Sequence, residues 1–275
     1  MKIRCGICPQ SCELEEGQVG FCRARSARGG AVVSDNYGLI TSMALDPIEK
    51  KPLRRFYPGS TILSVGSFGC NLRCPFCQNH EISMCSRERA RTVYVPPEEL
   101  VEKAFALKSS RNIGIAYTYN EPLVGYEYVR DCAALAHEHG LKNVLVTNGY
   151  VNEEPLRALL PLIDAMNIDL KAFTEDFYLT LHGHIEPVKR TIAIAAKACH
   201  VEVTTLIVPG RNDSEDEMRD LSEWLSCVSA DIPLHVSRFF PRYRMADGNA
   251  TPVETVYALA DIARERLKYV YTGNC

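Results

Sequence analysis

Cys70, Cys74 and Cys77 stand at C-x3-C-x2-C spacing in the segment Gly69–Asn79. Three thiolates on one loop can hold three corners of an iron–sulfur cube. A [4Fe-4S] cluster ordinarily takes four thiolates, so this set leaves one iron open. An open coordination position is where a catalytic metal site takes a substrate or cofactor. Zinc is a rival occupant, but the segment lacks a fourth nearby cysteine and only His80 is close. A plain electron-transfer cluster is a second rival; it too needs a fourth ligand.

Cys5, Cys8, Cys12 and Cys22 form another set, spaced C-x2-C-x3-C-x9-C. Four thiolates can close a zinc site or hold an auxiliary iron–sulfur cluster, and free or redox thiols are a third reading. The chain has 12 cysteines in all. Cys85, Cys132, Cys199, Cys227 and Cys275 are scattered, and those within helices or strands read as small core residues.

Polar residues recur where apolar runs end. Tyr117-Thr118-Tyr119-Asn120-Glu121-Pro122 offers Asn120 and Glu121 in a turn. Such a turn can hold an ammonium group, or Glu121 simply starts a helix. Thr147-Asn148-Gly149 closes another apolar run, and Asn-Gly is also a good turn. In Asn167-Ile168-Asp169-Leu170-Lys171, strand alternation places Asn167, Asp169 and Lys171 on one face. Inward polar groups are costly unless they bind something or satisfy one another as an ion network. Glu202 and Thr204 alternate in the same way on Val201–Val208. His235 and Ser237 lie on a later run, where a satisfied interior histidine is at least as good a reading.

These motifs need strands to position them. Seven short apolar or β-branched runs qualify: Ile62–Val65, Ile113–Tyr117, Asn143–Thr147, Met166–Leu170, Val201–Val208, His235–Phe239 and Tyr269–Tyr271. Helical spacing fills the gaps. Examples are Leu100, Val101 and Ala104 after Pro96-Pro97, Leu123 to Ala136, and Val188 to His200. Ser214 with Glu217, and Thr251-Pro252 with Glu254, fit capped helix starts. The alternation predicts an α/β fold with a parallel sheet. About six units suggest a partial (β/α)6 TIM-like barrel, with a doubly wound sheet as the alternative. Either form puts chemistry at the carboxyl ends of the strands. Residues 1–60, rich in Cys, Gly and turn signals, read as an amino-terminal Cys-rich β/loop extension, and 61–275 as the barrel.

Composition narrows the partners. Lys plus Arg number 31 against 34 Asp plus Glu, for a net charge of −3. That balance predicts no nucleic-acid partner and no membrane association. No run has the length of a membrane span. Met1 to Cys5 lack a signal peptide's apolar stretch, and clustered cysteines suit a reducing compartment, so a cytoplasmic protein is expected.

The cysteine motif, with Phe76 before the third cysteine, resembles the radical S-adenosylmethionine (SAM) superfamily. Asp46-Pro47-Ile48-Glu49-Lys50-Lys51-Pro52-Leu53, taken with Gly69–Asn79, resembles the AmmeMemoRadiSam-system radical SAM enzymes. These are relatives of pyruvate formate-lyase activating enzymes. The resemblance implies that Cys70, Cys74 and Cys77 bind a [4Fe-4S] cluster whose open iron takes SAM. It further implies SAM contacts at Phe76, Asn79, Asn120, Glu121, Thr147, Asn148, Asn167, Asp169 and Thr204, with Asp169 and Lys171 in catalytic places. The activating enzymes carry Asp before the equivalent of Thr147; this chain has Val146. The implied function is an oxidoreductase-type enzyme that abstracts hydrogen from a protein or peptide substrate, supplied by a flavodoxin- or ferredoxin-like reductant. A non-catalytic iron–sulfur electron carrier and a zinc-stapled interaction module are the alternatives.

Overall fold

A computed structural model describes residues 2–275. The amino-terminal region is built from small antiparallel pairs. β1 (Ile3–Arg4) pairs with β2 (Glu13–Leu14), and β3 (Arg25–Arg28) pairs with β4 (Ala31–Ser34). β5 (Leu39–Ile40) comes next, followed by β6 (Ser42–Pro47) and β7 (Thr61–Gly66). The short helix α1 (His80–Ser83) leads to β8 (Val93–Tyr94), which pairs with β5.

From there strands and helices alternate: α2 (Pro97–Ala106), β9 (Asn112–Tyr117), α3 (Tyr126–Glu138), β10 (Lys142–Thr147), α4 (Glu153–Leu159) and β11 (Ala165–Asp169). Then come α5 (Glu175–Thr180), α6 (Ile185–Ala195), β12 (His200–Ile207), α7 (Glu215–Ser229), β13 (Leu234–Arg238), α8 (Val253–Arg264) and β14 (Val270–Gly273).

The main sheet runs β14-β13-β12-β11-β10-β9-β7-β6. Seven strands are parallel, joined by six crossovers, and each run expected from the sequence is one of them. Their order never reverses, so the sheet has no switch point and is not doubly wound. It is the mostly parallel, TIM-like form. The eighth strand, β6, is antiparallel to β7 from Ser42↔Gly66 to Pro47↔Thr61. It lies before residue 60, so part of the expected extension is the sheet's edge. The polar, Pro-rich flanks of Ser42–Pro47 hid it as a strand. Among the described residues, no helix is long and apolar enough to cross a membrane.

The two faces of the sheet differ as strand alternation requires. Leu63, Val65, Ile115, Leu145, Ile168 and Val203 join the large apolar core with the helices. Each such burial contributes about 1.5–3 kcal/mol. The opposite face carries Ile62, Ala116, Val144 and Ala165, packed against Ile48, Leu53 and Phe56. Residues 48–56 thus floor the barrel. Strand side chains tether this floor. Asp46 holds Lys51 at 2.9 Å, Asn167 donates to Pro52 O at 2.9 Å, and Glu202 accepts from the Arg54 and Arg55 N–H groups at 3.0 and 2.7 Å.

Two helix starts differ from expectation. Ser214 Oγ accepts from Glu217 N–H at 3.2 Å, but the Glu217 carboxylate turns to Phe173 N–H at 2.6 Å, so half the capping box forms. Thr251 does not cap α8. Its hydroxyl donates to Ile207 O at 2.5 Å and ties the loop to β12.

Candidate active site

The cysteine loop leaves the carboxyl end of β7. Cys74 is buried, and Cys70 and Cys77 are half-buried. The Cys77 N–H donates to Cys74 O at 3.2 Å, closing a turn between the two cysteines. Cys70 Sγ accepts from Leu72 N–H at 3.4 Å and from Asn148 Nδ2 at 3.6 Å. Such donors stabilise a thiolate. Burial pushes the Cys70 thiol well up, reinforced by Glu121 and Cys74. Burial likewise lifts Cys74 to about 11, with Lys171 pulling it down. His80 Nδ1 lies 3.3 Å from Cys77 O, and its ring stacks on Tyr243 at 4.4 Å.

The donor set suits an iron–sulfur cube. A single tetrahedral zinc needs sulfurs about 3.8 Å apart. Among the described residues, no three Cys, His, Asp or Glu side chains gather closely enough to hold a single ion. Three thiols on one loop, with N–H donors at Cys70, fit three corners of a larger group.

Polar residues from three strand ends surround the loop. Asn120 Oδ1 accepts from Ser67 N–H at 2.9 Å, and Nδ2 reaches Phe68 O and Gly69 O, both at 3.1 Å. Glu121 is 3% exposed. It accepts from the Thr147 hydroxyl at 2.7 Å, Asn148 N–H at 2.8 Å and Leu123 N–H at 3.1 Å. Burial pushes its carboxyl up to about 7 against those donors. Buried and engaged at both oxygens, Glu121 locks β10's end to the turn after β9. Asn148 passes this order on, donating to Asn71 Oδ1 at 2.9 Å as well as to Cys70.

Asp169 and Lys171 pair at 2.5 Å and both act on Cys74. Asn79 Nδ2 donates to Tyr119 O at 2.7 Å, and Phe76 packs on Phe177 with ring centres 6.1 Å apart. Asn167 and Thr204 lie beside this group, Thr204 in register with Asp169 on the neighbouring strand. They bond to each other at 2.9 Å, and Asn167 also holds the floor at Pro52. His235 is likewise satisfied, with Nε2 2.6 Å from Glu202.

Two residues at the site carried no motif signal of their own. Tyr119 takes φ +70. A non-glycine residue there costs roughly 1–3 kcal/mol unless held; Asn79 binds its carbonyl, and its phenol donates to Asp46 at 2.9 Å. Its signal was the motif around it. Arg73, between two of the cysteines, donates to Cys70 O at 2.8 Å and to Phe21 O, joining the loop to the amino-terminal region.

Comparison with known proteins agrees with this geometry. A family model for the radical SAM superfamily matches residues 64–225, more than half of the chain. An uncharacterized protein of Methanocaldococcus jannaschii is 42% identical over 276 residues, covering 99% of this chain and 81% of its own. The pyruvate formate-lyase 1-activating enzyme of Escherichia coli is 26% identical over 162 residues, spanning 57% of this chain and 65% of that enzyme. Among solved structures, Streptococcus suis SuiB bound to S-adenosylmethionine shares the fold with TM-score 0.59 at 11% identity, over 78% of this chain and 52% of SuiB. The family span takes in Cys70, Cys74, Cys77 and the polar ends of β9, β10 and β11, and excludes the amino-terminal cysteines. With an open three-thiol loop at the strand ends of a TIM-like sheet, this chain belongs to the radical SAM superfamily and is an enzyme of that class rather than an electron carrier or a zinc-stapled module.

Proposed function

We propose that this enzyme uses SAM to abstract hydrogen from a protein or peptide substrate, with a reduced flavodoxin- or ferredoxin-like protein as electron donor. One observation carries the chemistry: three thiols lie on one loop, at the carboxyl end of the first parallel strand, without a fourth protein ligand in that loop. Cys70, Cys74 and Cys77 hold a [4Fe-4S] cluster. When bound and reduced, that cluster with SAM supplies a 5′-deoxyadenosyl radical.

The chain's own residues orient and exclude. Asn148 and the Leu72 N–H stabilise the Cys70 thiolate. Glu121 and Thr147 hold Asn148 in place. Asn79, Asn120 and Phe76 shape the cofactor side of the loop. Asp169 and Lys171 border SAM and substrate, their paired charges able to meet its carboxylate and ammonium groups. The similarity to the E. coli pyruvate formate-lyase 1-activating enzyme supports a protein substrate. Cys5, Cys8, Cys12 and Cys22 hold a second metal centre, either zinc or an auxiliary iron–sulfur cluster.

The test is anaerobic reconstitution, reduction with dithionite and incubation with SAM. The expected product is 5′-deoxyadenosine with methionine. A fully cluster-loaded protein that leaves SAM intact rejects the reading. Adding candidate peptides then distinguishes uncoupled cleavage from substrate-stimulated turnover.

A further inference from the structure

The four amino-terminal cysteines are brought together by the short strands. Cys5 N–H donates to Cys12 O at 2.9 Å, and Phe21 N–H donates to Cys12 Sγ at 3.4 Å. Cys5, Cys8, Cys12 and Cys22 line one cavity, and Arg25 lines it with them.

Arg25 is 3% exposed. Its terminal nitrogens are fixed by Glu127 at 2.7 and 2.6 Å and by Val124 O at 3.1 Å. Its Nε–H has no partner. A buried donor left unpaired is destabilising. Glu127 clamps the far edge of the guanidinium, so the orphan donor is held beside the thiol cavity. Sulfurs of a metal-bound thiolate set are the acceptors it lacks.

The orphan donor favours a cluster, whose bridging sulfides add acceptors that a single zinc does not offer. The two sets share a backbone N–H bonded to one sulfur, Phe21 to Cys12 and Leu72 to Cys70. They also touch: Cys70 N–H donates to Cys22 O at 3.2 Å.

We propose that Cys5, Cys8, Cys12 and Cys22 hold a [4Fe-4S] cluster of their own, with Arg25 Nε–H donating to it. This rests on the second-metal reading above and chooses within it. Loading that centre fixes Cys22, and through its carbonyl the backbone of Cys70.

The experiment is anaerobic loading with ferrous iron and sulfide, with equimolar zinc present as competitor, followed by metal and sulfide analysis. Wild type should hold about eight iron per chain and no zinc. The triple variant Cys70→Ala/Cys74→Ala/Cys77→Ala should keep about four, and so should Cys5→Ser/Cys8→Ser. Arg25→Met should keep the iron of the Cys70 loop and lose amino-terminal iron several-fold faster in air. Arg25→Met/Glu127→Met removes both charges together and should show the same loss should the single variant fail to fold. One zinc per chain in the triple cysteine variant overturns the proposal, as does the absence of any metal there. Amino-terminal iron equally durable in the Arg25 variants overturns the place given to Arg25. If wild type holds only about four iron, lost with Cys5 and Cys8 but not with the triple variant, this inference stands and the Cys70-loop reading fails.

Discussion

Lys171 Nζ lies 2.5 Å from Asp169 Oδ2, just past the end of β11. Burial alone would depress the Lys171 ammonium. The Asp169 charge, with Cys74, outweighs that and holds it well above its usual range. Lys171 is therefore held as the ammonium, beside Asp169 and the cysteine loop.

Two outcomes separate its roles. If the pair positions SAM, Asp169→Ala and Lys171→Ala each weaken SAM binding with iron content unchanged. Misplacement of a reacting atom by about 1 Å can cost roughly a hundredfold in rate. A purely structural pair would lose stability in the single variants and regain it in an apolar double variant. SAM affinity and 5′-deoxyadenosine yield in all three variants decide. A stable double variant with normal cleavage defeats the catalytic reading.

Replacing Cys70, Cys74 or Cys77 singly with Ala should abolish 5′-deoxyadenosine production. Each thiolate holds one iron, and losing one exposes the cluster to oxidation. Product formation at the wild-type rate in any one variant contradicts the assignment.

Gly69 has φ +91, and a Cβ there would stand 2.6 Å from Cys22 O and 2.7 Å from Ala24 Cβ. Backbone cannot yield to that, so Gly69→Ala should push the cysteine loop off Cys22. The expected result is a folded protein whose Cys70-loop iron is lost several-fold faster in air. Unchanged retention would mean that the contact with Cys22 is dispensable.

Glu202 predicts an acid dependence of stability. Burial raises its carboxyl, but His200, His235 and the Arg54 and Arg55 N–H groups outweigh burial and bring it from 4.5 down to about 2. A depressed carboxyl contributes stability that is present above its unfolded value. It is lost as pH falls from about 4.5 through about 2. The difference corresponds to about 3 kcal/mol. Glu202→Gln should therefore lower the melting temperature at neutral pH and flatten its fall across that acid window. Parallel acid limbs in the two proteins would rule this out.

The parallel strands were legible because each is a short apolar run ended by turn residues, and a buried parallel strand has little other option. β6 was not, since an edge strand needs partners on one side only and can carry exposed Met43 and Leu45 among polar residues. The cysteine loop was legible because its ligands are close in sequence, where spacing alone limits geometry.

Sequence by itself determined which residue types stand at the strand ends: three thiols, Glu121, Asn148, Asp169 and Lys171. Only tertiary structure decided how they are shared out. Glu121 is committed to Thr147 and Asn148, Asn167 to Pro52, and Glu202 to the floor. Alternation tells which face a side chain takes, but its partners come from segments about 30 to 150 residues away. Each buried polar group must find a partner or cost about 1–3 kcal/mol, and that pairing exists only once the chain has closed on itself.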